Sequence, residues 1–178
     1  MTVQLSENVL SIDFLFLDRD TCGRCGGTEE ALDMAVSATE PALAALGIRS
    51  KIAKIHVTSL VQAKELGFLT SPTIRIGGKD IQSDMHESAC GDCTDLGASD
   101  DAVHCRHWTW HGESHSSAPV GMVVEAILSA VLEGQSSGPR SEADPERVLG
   151  MTANLERFFG PEAGATGGKG DGCGCGCG

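Results

Sequence analysis

The sequence predicts an α/β sandwich built on a central mixed sheet, and three observations carry that expectation. The run SIDFLFL (Ser11 to Leu17) has the length and apolar content of a buried strand and leads into a helix-forming stretch. A second strand-like segment, KIAKIHV (Lys51 to Val57), follows that helix, and PTIRIGGKDI (Pro72 to Ile81) reads as a hairpin turning on Gly77-Gly78. A helix opened by Pro119 closes a β-α-β-α-β-β-α order. Strands joined by helices and then a hairpin imply a mixed sheet with helices packed on it.

Each element has its own local cause. From Thr28, TEEALDMAVSATEPALAALG is helical in composition, with Glu29 and Glu30 in the first turn, where the helix dipole favours them. Pro41 is expected to kink or split this helix, and Gly47 to stop it. Ser59 and Gln62 form a capping box for a short helix ending near Gly67. Residues 84–107 show little periodicity, so the region 82–115 is expected to be a loop insertion, with HWTWH (His107 to His111) as a short edge strand. In the closing helix Ser117 is the expected N-cap. Val120, Val123, Val124, Ile127, Leu128 and Val131 share one face.

The expected domain therefore spans 1–133. A linker (134–143) follows, then an amphipathic helix (144–159) with Asp144-Pro145 as cap and first residue and a stripe of Val148, Met151, Leu155 and Phe158. That helix must dock on its own domain or on a partner. Residues 160–178 are low-complexity, end in GCGCGCG, and are expected to be disordered.

A formal net charge of -12 over 178 residues argues against nucleic acid and anionic membrane surfaces as partners. No apolar run reaches the roughly 18–20 residues of a membrane span, and the N-terminal residues lack a secretory pattern. The expected compartment is the cytoplasm, where thiols stay reduced. There, eight cysteines point to metal binding or redox chemistry rather than to disulfide staples.

The cysteines fall into three groups. Cys22 and Cys25 form a CxxC between strand and helix. A thiol at a helix N-terminus meets unpaired N–H groups and the positive dipole end, and Arg24 adds positive charge. All three favour thiolate, the nucleophile and the soft-metal ligand. Cys22 is expected to be the more exposed and more reactive of the pair. The alternative is half of a zinc site. Cys90, Cys93 and Cys105 follow a C-x2-C-x11-C spacing, with His104, His107, His111 and His115 nearby to complete a tetrahedral zinc site. A disulfide or free, substrate-binding thiols remain open for this group. Cys173, Cys175 and Cys177 alternate with glycine, which lets each sulfur turn toward one soft ion.

The motifs CGRC and SPT, the hairpin and the closing helix together resemble the thioredoxin-like superfamily over about 11–132. The resemblance implies a thioredoxin-like fold in which Pro72 is cis and packs against the cysteine pair, with the backbone before it open to a bound partner. Cys22, Cys25 and Pro72 would then be the catalytic group. The combination CGRC … ELGFLTSPTIRI … CGDC … APVGMVVEAI more closely resembles a family of small cysteine-rich bacterial proteins catalogued as a domain of unknown function and associated with arsenic and mercury resistance. The departures are the cysteine-bearing insertion and DRDT in place of a tryptophan-led approach to the CxxC.

The resulting expectation is a thiol protein that captures or relays soft metal or metalloid ions. All eight cysteines are candidate ligands, and Cys90, Cys93 and Cys105 are a candidate structural zinc set. The rival is a thiol–disulfide oxidoreductase served by a thiol reductant. An organometal lyase using Asp18 or Asp20 as proton source, and a docking module for a regulatory protein, are further alternatives.

Overall fold

A computed structural model describes residues 8–134 and 153–160. The first sheet holds β1 (Asn8–Phe16), β2 (Ile48–His56), β3 (Thr73–Ile76) and β4 (Lys79–Asp80) in the order β2-β1-β3-β4. β1 and β2 run parallel, and β1, β3 and β4 pair antiparallel. The Gly77-Gly78 turn holds both residues at positive φ (58° and 83°), as a two-residue primed turn demands.

Alternation along β1 separates two layers. Leu10, Ile12, Phe14 and Phe16 face the core shared with Leu32 and Ala35 of α1 (Gly23–Ala45) and Val123 and Ile127 of α4 (Val120–Leu132). Leu15 and Leu17 face Leu60 and Ala63 of α2 (Leu60–Glu65), with Phe68 beside them. Among the described residues no helix is long and apolar enough to cross a membrane.

Several local expectations change. α1 starts at Gly23, not Thr28, so Cys25 lies in its first turn. Glu29 lies a turn later and pairs with Arg19 and Lys54, both at 2.9 Å. Pro41 does not split α1: its missing N–H frees the carbonyl of Ser37, and both residues are solvent-exposed, so water can take the bond. Ser59 does cap α2, but Gln62 returns its oxygen to the Thr58 N–H at 2.8 Å. The N-cap of α4 is Pro119, not Ser117. The buried face of α4 is Met122, Val123, Ile127 and Ala130, which leaves Leu128 exposed.

The largest correction concerns 82–115, which is not a loop. It folds into a second, antiparallel sheet, β5-β6-β7: β5 (His86–Ala89), β6 (His104–Trp110) and β7 (Glu113–His115), with α3 (Gly91–Leu96) between β5 and β6. The segment HWTWH lies mostly in β6, the central strand rather than an edge. Its organisation rests on polar pairing that periodicity does not register. Arg106, fully buried, bonds Asp80 Oδ2 at 2.8 Å and stacks 4.7 Å above the Trp108 ring.

Residues 153–159 form α5. Leu155 packs with Leu15, Leu17 and Phe68, so this part of the C-terminal helix docks on its own domain. Residues 144–152, including Val148 and Met151, lie outside the described residues, as does the tail with Cys173, Cys175 and Cys177.

Candidate metal centre

The two Cys-Gly-x-Cys motifs fold alike and face one another. Cys22 is the N-cap of α1 and Cys90 the N-cap of α3, both with extended backbone (ψ 108° and 110°). In each motif the second cysteine falls in the first helical turn. The middle residues cross over. Asp92 Oδ2 accepts the Gly23 N–H at 3.0 Å. Arg24 donates to the carbonyls of Cys105 (3.1 Å) and Ala89 (3.0 Å) and to Ser88 Oγ (2.9 Å). Arg24 thus ties the insertion to the core. Of the N–H groups expected to serve the thiolate, that of Cys25 in the first turn does help hold Cys22 down, whereas that of Gly23 and the two leading into the helix are taken by carboxylates. Asp18 Oδ1 accepts from Thr21 (2.6 Å) and Cys22 (3.2 Å).

This crossing brings Cys22, Cys90, Cys93 and Cys105 together, with all four sulfurs within 4.8 Å of one another. Cys22 Sγ lies 3.8 Å from Cys90 Sγ, and Cys105 Sγ lies 3.2 Å from Cys93 Sγ. Four sulfurs at ~2.3 Å from a tetrahedral zinc ion would lie ~3.8 Å apart, so the donor set fits such an ion after small adjustments. All four are buried, at 0–4% exposure. The expected solvent-facing Cys22 is therefore overturned: at 0% it is as buried as Cys25.

The fourth member of the middle cysteine group is thus Cys22, not a histidine. His107 bonds Ser88 Oγ and Ser114 Oγ. His111 is exposed on the β6–β7 turn against Trp110. None of His104, His107, His111 and His115 joins the sulfur group. Cys25 stands beside the cluster, its Sγ 3.3 Å from Ser71 Oγ. Ser71 precedes a cis peptide bond to Pro72, as the resemblance implied. Its carbonyl, expected to be open to a partner, accepts the Arg106 N–H of β6 at 2.8 Å.

The thiols are electrostatically unequal. Hydrogen bonds from Cys105, Cys25 and Cys93 hold Cys22 well below the usual thiol range, against the opposing pull of burial. Cys25 is pushed up by its bond to Cys22 and by burial. Cys105 is pushed up by bonding to Cys22 and Cys93 and by burial. Cys93 is drawn down by Cys105, but its bond to Cys22 and burial outweigh that and raise it. Cys22 is thus the thiol of this group that most favours the ionised form, held by its neighbours' thiol donors.

Residues 10–127 match the family described as Domain of unknown function (DUF2703). The chain belongs to this family. No curated protein and no solved structure matches it. The matched DUF2703 region contains both Cys-Gly-x-Cys motifs and Cys105, and it excludes α5.

The sequence offers the joint site only through the alternative that the CxxC is half of a zinc site, and spacing alone does not pair it with Cys90, Cys93 and Cys105. The available signal was their shared form, CGRC and CGDC.

Proposed function

We propose that this DUF2703 protein binds a soft, thiophilic ion at Cys22, Cys90, Cys93 and Cys105, and captures or relays such ions with help from the tail thiols Cys173, Cys175 and Cys177. The observation that carries the proposal is the meeting of Cys22 with the three insertion cysteines. Thiolate-only donors select Zn(II), Cu(I) and other soft ions over hard cations. Resident zinc would be held by these four sulfurs and would tie the insertion to the core. Hg(II) and As(III), suggested by the family resemblance, would be cargo for the same thiols. A reducing cytoplasm suits free thiols of this kind.

The sheet order β2-β1-β3-β4, the CxxC at the start of α1 and the cis Ser71-Pro72 bond support a thioredoxin-like reading of the core. The low-lying Cys22 thiol speaks for the rival, a disulfide oxidoreductase. Two features weigh against that activity. The Ser71 carbonyl is already paired with β6, and both Cys22 and Cys25 are fully buried, so a protein disulfide has no approach. Asp18, engaged as a helix cap, is a poor proton source for a lyase.

The test is native mass spectrometry of the fully reduced protein titrated with Zn(II), Hg(II) and As(III), beside a disulfide-reduction assay. Stoichiometric uptake that survives deletion of residues 172–178 at one site, with the tail adding further ions, is expected. Rapid disulfide reduction without ion uptake would reverse the order of the two readings.

A further inference from the structure

We propose that Asn154 is a positioning residue for the Cys105 ligand, and that α5 latches the metal centre against ion loss. The proposal rests on the four-sulfur reading above. Asn154 is buried, and its amide pairs with the backbone on either side of one residue. Oδ1 accepts the His104 N–H and Nδ2 donates to the His104 carbonyl, both at 2.8 Å. Nδ2 also reaches Glu87 Oε1 at 3.5 Å. A side-chain amide can replace a neighbouring strand in this way because it carries a donor and an acceptor on one plane.

The placement is specific to Cys105. On one edge, β6 pairs with β5, where Ser88 faces Cys105. On the other edge, His104 is held by Asn154 and Arg106 by the Ser71 carbonyl. Cys105 is therefore fixed between two anchored residues. α5 also reaches the helix that carries Cys93. The Ala98 N–H donates to the Phe158 carbonyl at 3.0 Å, just past the end of α3. A Cβ on Gly97 would lie 3.3 Å from the Arg157 carbonyl, so the approach is close. α5 lies outside the family-matched region.

An ion leaves a four-ligand site by losing ligands in turn, and a strand freed on one edge lets its ligand swing away. Replacing Asn154 by alanine leaves the His104 N–H and carbonyl without partners and frees that edge. Groups that bond a metal ligand directly change metal affinity ~10–100-fold, and a support one residue removed belongs at the lower end of that range.

The experiment uses the full-length, fully reduced protein and Cd(II) as probe. Cd(II) loss to excess chelator and site-resolved alkylation by mass spectrometry are followed for wild type, N154A and the same-helix control Glu156→Ala. The expected result is unchanged stoichiometry at the core site, loss about tenfold faster in N154A, and Cys105 alkylated selectively faster than Cys22, Cys25 and Cys90. E156A should match wild type. Equal rates in N154A, or a uniform rise at all core cysteines (the mark of general destabilisation), overturns the latch. N154Q, which keeps donor and acceptor one methylene further out, is the milder form of the test if N154A does not fold. Should wild type fail to bind Cd(II), the ion-binding reading and the latch fall together, while Cys105-selective alkylation of the metal-free protein still decides whether Asn154 positions Cys105.

Discussion

Replacing Cys22 and replacing Cys25 by serine should have very different consequences, although the two form a single CxxC. Cys22 is one of four sulfurs within 4.8 Å of one another, and Cys25 is not in that group. Structural zinc sites bind with about 10–16 kcal/mol, so one of four ligands carries roughly 3–4 kcal/mol. That corresponds to a loss of about 10²–10³ in affinity for C22S. Cys25 instead contacts Ser71 Oγ at 3.3 Å. C25S should cost some folding stability but leave zinc affinity within about threefold, a difference near RT and well below one ligand. The assay is competition for Zn(II) against a chromophoric chelator. It uses reduced protein with Cys173, Cys175 and Cys177 changed to serine, so that no tail thiol replaces the missing ligand. Equal losses in C22S and C25S, or a larger loss in C25S, would mean that the CxxC binds as an independent dithiol. The joint site would then be refuted.

Zinc affinity should rise with pH. Cys93 and Cys105 are held above the usual thiol range and carry protons at neutral pH, while Cys22 is already thiolate. Binding must displace at least those two protons, so the affinity constant should climb at least ~100-fold per pH unit. Calorimetry in buffers of different ionisation enthalpy counts those protons, and a flat profile between about pH 6 and 8 would contradict the assignment. Gly121→Ala should destabilise the fold by about 1–3 kcal/mol in urea unfolding. A Cβ there would sit 2.9 Å from Cζ2 of Trp110, whose ring is held by a 2.8 Å bond from Nε1 to Glu125. An unchanged midpoint would show that the ring yields freely.

The core was legible because burial leaves periodic traces. SIDFLFL alternates between two packed layers, and the paired glycines of the hairpin are demanded by positive φ. The insertion was not, because its sheet is ordered by side-chain polarity: the buried Arg106, the Arg24 fork and Gln82, whose Oε1 caps the Thr109 N–H at 2.7 Å. Those pairings join residues far apart in the chain and leave no local period. Arg24 shows the same limit. Read locally it is a charge beside a thiol, whereas the folded chain spends its donors on β5 and β6 oxygens. Cys90, Cys93 and Cys105 were legible as a set by spacing, but their fourth partner lies 68 residues from Cys90 and is supplied by topology.

The crossed motifs place one sulfur on the core and three on the insertion. Any ion that engages all four therefore couples two free energies, its own binding and the seating of the insertion against α1. By linkage the coupling is reciprocal: the free energy by which seating the insertion strengthens the ion equals the free energy by which the ion strengthens the Arg24 and Asp92 crossings. Coordination number then becomes mechanical information. An ion content with three sulfurs can be satisfied within the insertion and contributes nothing to closure. An ion that demands four draws Cys22 in and seals the two modules together.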